Sequence, residues 1–183
     1  ARAPVEVVDA EVTVSAPAQV VVGSAFPVTW QGEGLHPRDY VTIVPAGSAD
    51  GTYADYDRMQ GRSEGELRAP AEPGLYEVRL QLDAGDRVLA RTPVEVVDAE
   101  VTVSASAQVV VGSAFPVTWQ GEGLHPRDYV TIVPAGSADG TYADYDRMQD
   151  RSEGELRAPA EPGLYEVRLQ LDAGDRVLAR TPV

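Results

Sequence analysis

The 183-residue chain contains no cysteine, no lysine and no asparagine. The first absence excludes disulfides, thiol catalysis and cysteine–zinc sites. It leaves the compartment open, because an oxidising compartment permits disulfides without requiring them. Without asparagine there is no N-glycosylation acceptor, and without lysine and asparagine no Lys–Asn isopeptide cross-link can form. Positive charge is scarce. Fifteen basic residues, all arginine, face 29 acidic ones, for a net charge of −14. That balance argues against nucleic acid and anionic membrane surfaces as partners. No apolar run approaches the ~18 residues needed to cross a bilayer, so direct membrane insertion is not expected. No signal peptide is visible at Ala1, although the abrupt start is compatible with a leader already removed.

What is present is a fold-forming composition, 43% hydrophobic, arranged as a tandem repeat. Arg2–Ala90 aligns with Arg91–Ala179 at an offset of 89 residues, and only three positions differ: Ala3/Thr92, Pro17/Ser106 and Gly61/Asp150. The chain opens on Ala1-Arg2-Ala3-Pro4-Val5 and closes on Ala179-Arg180-Thr181-Pro182-Val183, the same point of the repeat. The expectation is an excerpt of a longer array. A unit of this length exceeds the ~20–45 residues of a solenoid repeat and suits a small domain with its own core. The implied boundaries are a tail of a preceding repeat at 1–9, a first repeat at 10–98, and a second at 99–183 with its last strand truncated.

Strand signals dominate each repeat. Glu11–Ser15 and Phe26–Gln31 alternate, and Tyr40–Val44 is β-branched and apolar. Tyr76–Leu82 places Tyr76, Val78, Leu80 and Leu82 on one face. Asp83-Ala84-Gly85-Asp86 is a hairpin turn, and the return strand carries Val88, Ala90, Thr92, Val94 and Val96 on one face. Proline and glycine mark the corners. The pattern predicts an all-β chain of two tandem antiparallel β-sandwiches, about seven strands each. Trp30 in the second strand, the Pro73-Gly74-Leu75-Tyr76-Glu77-Val78 entry and the long final hairpin together resemble immunoglobulin-like and fibronectin type III-like domains. That resemblance implies core tryptophans at Trp30 and Trp119 and tyrosine corners at Tyr76 and Tyr165. A narrower similarity, through Asp39–Gly47, Gly51-Thr52-Tyr53 and Ala69–Arg79, is to Ig-like modules of bacterial proteins with von Willebrand factor A domains. The metal-dependent adhesion site of that A domain has no counterpart here.

At the junction, Arg91–Val103 contains no Gly/Ser tract. The apolar phase is even through Val94 and Val96, then odd at Val97, Val101 and Val103, the phase change expected where a chain leaves one sandwich for the next. So short a connection predicts a semi-rigid rod rather than a flexible tether.

The segment Ser48–Gln60 carries Asp50, Asp55 and Asp57 and recurs unchanged with Asp139, Asp144 and Asp146. Two readings stand. One is a calcium site, since calcium takes six to eight oxygens with several carboxylates converging. On that reading Asp55 and Asp57 share a face of a Thr52–Met59 strand. The spacing matches neither an EF-hand nor a glycine-rich nonapeptide repeat. The other is a solvated acidic loop that keeps an edge strand from pairing with other chains. His36 and His125, each before proline, are turn residues on balance, with no second ligand nearby. Paired carboxylates and Ser/His/Asp sets have no supporting context. Tyr53 and Tyr56 leave a glycan or protein contact open. Arg79, Arg87 and Arg91 are placed on solvated strand faces.

The sequence therefore predicts a non-catalytic structural segment of a bacterial extracellular or cell-surface rod, stalk or fibre. Its partners would be neighbouring identical repeats, in the same chain or self-assembled. The alternative is an adhesive or calcium-binding module for a surface protein or glycan, or an accessory domain. No cofactor is required, with calcium the one candidate. If the tyrosine corners form, Tyr76→Phe and Tyr165→Phe should each lower unfolding free energy by roughly 1 kcal/mol through one lost hydrogen bond. Urea denaturation checks this, and an unchanged midpoint would remove the assignment.

Overall fold

The computed structural model describes residues 4–183, so positions 1–3 of the expected 1–9 tail lie outside the described residues. Fifteen strands and no helix are found among the described residues. The first repeat contributes β1 (Val12–Ser15), β2 (Gln19–Val21), β3 (Ala25–Gly32), β4 (Tyr40–Pro45), β5 (Tyr56–Arg58), β6 (Glu64–Arg68), β7 (Gly74–Gln81) and β8 (Val88–Val97). The second contributes β9 (Val101–Ala105), β10 (Ala114–Gly121), β11 (Tyr129–Pro134), β12 (Tyr145–Arg147), β13 (Glu153–Arg157), β14 (Tyr165–Gln170) and β15 (Val177–Pro182). The backbone groups into two compact units, one mainly Phe26–Arg68 and Gly74–Glu95, the other mainly Val96–Val183.

The first repeat has a three-stranded sheet in the order β1-β3-β6 and a five-stranded sheet in the order β2-β8-β7-β4-β5. The second has β13-β10-β9 and β12-β11-β14-β15. This is the two-sheet arrangement of an Ig-like or fibronectin type III-like domain. Alternation builds its core. In β3, Phe26, Val28 and Trp30 are buried while Pro27, Thr29 and Gln31 face solvent. Val14 pairs with Trp30 across the ladder. Val41, Ile43, Val78 and Leu80 come from the opposing sheet and are fully buried. Met59 and Leu67 are buried as well. The Trp30 indole N–H donates to the Arg62 carbonyl at 2.8 Å, and Trp119 to Arg151 at 2.7 Å. Each tryptophan thus joins apolar burial to a satisfied polar end. At the start of β14 the Tyr165 hydroxyl donates to the Glu161 carbonyl, four residues back, at 3.0 Å. Of the junction valines, Val94 and Val96 are buried and Val97 and Val101 half-buried.

Strand β7 departs from simple alternation. Val78 and Leu80 face the core, yet Glu77, Arg79 and Gln81 on the other face are buried too. Arg79 has no exposed surface, which corrects the expectation of a solvated arginine there. The cause is the Ser48–Asp57 loop, which folds across the outside of β4 and β7. Arg79 Nε donates to Glu77 Oε1 at 2.8 Å and Nη1 to the Ala49 carbonyl at 2.9 Å. Nη2 reaches the Ser48 carbonyl and Glu77 as well. In the second repeat Arg168 makes the same contacts with Glu166, Ala138 and Ser137. Thr42, also fully buried, seals the far side of the loop. Its hydroxyl donates to the Asp55 carbonyl at 2.8 Å and accepts the Ala54 N–H at 3.1 Å.

Burying a guanidinium costs several kcal/mol in lost hydration, offset only when its donors are matched. Here a carboxylate and two carbonyls match them. Removing the cation leaves Glu77, of which only 11% of the side chain is exposed, with the half-exposed Arg91 at 3.7 Å as its remaining cation. Arg79→Met is therefore expected to lower unfolding free energy by about 3 kcal/mol or more, read as a shift of the urea midpoint. A loss under about 1 kcal/mol, the level of an exposed ion pair, would contradict this account.

Candidate functional site

The structure does not bring Asp50, Asp55 and Asp57 together. Asp50 sits 3.8 Å from Arg91, both side chains more than half exposed. Asp55 turns toward β6, where its Oδ2 accepts the Arg68 N–H at 2.6 Å. Asp57 accepts from Arg62 Nη2 at 2.7 Å and from the Glu66 N–H at 3.4 Å. Asp144 and Asp146 repeat the pattern on the backbone of Arg157 and Glu155, at 2.5 and 3.3 Å. Asp139 lies 3.8 Å from Arg180. Among the described residues no group of three or more acidic or histidine side chains is placed to hold a metal ion. The expected Thr52–Met59 strand is reduced to Tyr56–Arg58.

What Asp55 and Asp57 do follows from sheet order. β6 lies at the edge of its sheet, and an edge exposes unpaired N–H groups that invite another chain. The two carboxylates accept alternate N–H groups along that edge. Gly65, next to the Glu66 N–H, has no room for a side chain, because a Cβ there would come within 2.3 Å of Asp57 Oδ2 and 3.1 Å of the Trp30 ring.

His36 caps a turn. Its Nδ1 accepts the Arg38 N–H at 3.2 Å, and its own N–H goes to Asp39 Oδ2 at 2.7 Å. Asp39 is 3% exposed and also accepts the Asp83 N–H at 3.0 Å, which ties this turn to the β7–β8 hairpin. Sequence reasoning passed over Asp39. The available signal was its place, three residues after His36 and directly before a buried strand, where an aspartate can close a turn on itself.

One of the concave features that recur in both repeats is built by the loop. Tyr40, Tyr53, Tyr56, Arg58, Asp83 and Asp86 line a cleft of about 210 Å³. Tyr129, Tyr142, Tyr145, Arg147, Asp172 and Asp175 line one of about 220 Å³. The three rings of the first cleft meet edge to face, with centroids 5.9–6.3 Å apart. Arg58 lies 5.8 Å from the Tyr56 centroid and 3.2 Å from Asp83. Tyr53 and Tyr56 are 63% and 48% exposed, whereas Tyr40 is buried beneath them and accepts from Gln81 Nε2 at 2.8 Å. Burial pushes the Tyr40 phenol up from its ordinary value, and Asp86 pushes the same way against the Gln81 hydrogen bond. Tyr129 shifts upward by the same burial, with Asp175 adding to it. The cleft is smaller than the ~300–1,000 Å³ of a typical small-molecule site. Aromatic edges and carboxylates line it.

No protein-family model and no curated protein sequence matches the chain. Solved structures do. A two-domain fibronectin type III segment of chicken tenascin is 15% identical, with a TM-score of 0.35 over 96% of this chain and 95% of that one. The adhesin InvE of Yersinia pseudotuberculosis is 15% identical at a TM-score of 0.36, covering 95% of this chain and 58% of that one. The FN1–FN3 domains of chicken CNTN1 are 11% identical at 0.33, covering 92% and 62%. The chain thus spans about three fifths of the length of the last two.

Three results are expected. Chelation with EDTA should leave the melting temperature unchanged, since the loop carboxylates are engaged by N–H groups and guanidinium; a fall of several degrees would restore the calcium reading. Tyr40→Phe should cost about 1–2 kcal/mol, because it strands the Gln81 amide, whose Oε1 has no hydrogen-bond partner. Tyr40→Phe with Gln81→Leu should cost less than the single change. A raised phenol gives stability that is complete below the unfolded value near 10 and lost as pH rises through the folded value. Urea midpoints should therefore fall as the pH rises above about 10, and fall less in Tyr40→Phe/Tyr129→Phe.

Proposed function

We propose that this chain is a non-catalytic structural segment of a bacterial extracellular rod, stalk or fibre, made of Ig-like repeats at 10–98 and 99–183. The observation that carries this reading is how completely the fold uses its chemically capable side chains. The one histidine per repeat caps a turn. The loop acids cover a strand edge, and the buried arginine holds a loop. Near-identity of the repeats supports it further. Each added copy gives a stalk length, while a second adjacent active site adds little to an enzyme.

The tyrosine cleft favours a second reading, an adhesive module. Two exposed tyrosines beside two aspartates suit a glycan or a protein loop, and repetition would supply avidity. The readings separate experimentally. Chains of two, four and six repeats should show a maximum dimension by small-angle X-ray scattering that grows in proportion to repeat number. Growth nearer the square root would mean flexible tethers and would end the rod reading. For the adhesive reading, binding on a glycan array should disappear in Tyr53→Ala/Tyr142→Ala. Signal that survives both changes would end it.

A further inference from the structure

The two aspartates of the tyrosine cleft are not equivalent. Asp83 is engaged: Arg58 Nη1 donates to it at 3.2 Å, and Arg38 lies 3.9 Å away. The exposed Asp86 carboxylate makes no hydrogen bond or ion pair among the described residues. It is nevertheless held in place. Gly51 of the loop passes so close that a Cβ there would stand 3.1 Å from Asp86 Cβ. The carboxylate also acts on the ring beneath it. Burial leads in raising the Tyr40 phenol, and Asp86 is the strongest charge adding to it. The second repeat has the same division. Arg147 engages Asp172 at 3.2 Å, and Gly140 packs on Asp175, its Cβ position 3.2 Å from Asp175 Cβ.

The rings supply a second attraction for positive charge. With centroids 5.9–6.3 Å apart, one cation resting over the group comes within the ~6 Å reach of more than one ring. The cleft already displays this chemistry once. The Arg58 guanidinium lies over Tyr56 while bonding Asp83. A second cation would find Tyr53 and Asp86 without one. At about 210 Å³ the cleft admits one long side chain. A cation–π contact at exposed rings changes affinity only a few-fold, so a useful cation has to arrive on a larger partner. The net charge of −14 draws such a basic partner in from a distance.

We propose that each cleft receives a lysine or arginine side chain of a basic partner protein. Its charged end meets Asp86, and its aliphatic stem lies across Tyr53 and Tyr56. In the second repeat the same roles fall to Asp175, Tyr142 and Tyr145. This inference rests on the adhesive reading and names its ligand.

An NMR titration of the 183-residue chain tests it, at about 0.15 M salt, where charges beyond roughly 8 Å are screened. The probes are acetyl-Gly-Gly-Lys-Gly-Gly-amide and its norleucine counterpart, which keeps the stem and lacks the charge. The lysine peptide should shift the ring protons of Tyr53, Tyr56, Tyr142 and Tyr145 and saturate at roughly millimolar concentration. The norleucine peptide should bind at least about fivefold more weakly. Asp86→Asn/Asp175→Asn should weaken the lysine peptide about fivefold as well. Asparagine tolerates the φ of 56° found at both positions, so the turns survive. Glu33→Gln/Glu122→Gln removes the same charge from exposed sites outside the cleft and should change binding less than about twofold. Equal binding of the two peptides would overturn the proposal. So would an equal loss in the two pairs of acid variants, or rings unmoved by the lysine peptide. The adhesive reading is judged separately by its glycan array. A signal there that is lost in Tyr53→Ala/Tyr142→Ala, beside rings unmoved by lysine, would keep that reading and reject this ligand.

Discussion

The buried guanidinium of Arg79 is the interaction on which the outer half of each repeat depends. An ordinary strand would present that position to water. Here the positive charge is taken out of water and given a carboxylate and two loop carbonyls in exchange. Holding Ser48 and Ala49 fixes where the loop starts across the sheet, and the Thr42 hydroxyl fixes where it leaves. Between those points the chain has little freedom. Tyr53 and Tyr56 are set against Tyr40, and Asp55 and Asp57 arrive at the edge of β6. The cleft and the edge cover are therefore consequences of one desolvated charge pair, and both recur around Arg168.

Much of the fold was legible. Alternation at Phe26, Val28 and Trp30 placed the core face of β3, and the even-to-odd change after Val96 placed the end of β8. These signals are local and rest on the two-residue period of a strand. The arginine at position 79 was misplaced for the same reason. Period two assigns it to the outer face correctly, but it cannot say that a loop from thirty residues earlier returns to cover that face. Short strands were harder to place: β2 was missed, and β5 was expected to be longer than it is. β2 and β5 have three residues each, too few for periodicity.

The candidate site shows the same division. The acids of the Ser48–Gln60 segment were noticed because they cluster in sequence. Their side chains then diverge, toward Arg91, toward Arg68 and toward Arg62 with Glu66. Clustering along the chain is not convergence in space, and only the second makes a metal site. The aspartate that matters most to the turns, Asp39, stood alone in sequence and gave only a weak signal. The tyrosine cleft needed three residues from β4, the loop and β5, brought together by the same buried arginine.

The central claim is that the loop is a fixed part of the sandwich and not a mobile acidic appendage. Amide hydrogen exchange tests it most directly, because exchange reads local opening residue by residue. The informative amides are Ala54, bonded to the Thr42 hydroxyl, and Arg68, bonded to Asp55, with Ala143 and Arg157 as their counterparts. The account predicts that all four exchange as slowly as amides in the ladder between β4 and β7. Exchange at the rate of an unstructured chain, with that ladder still protected, would contradict it.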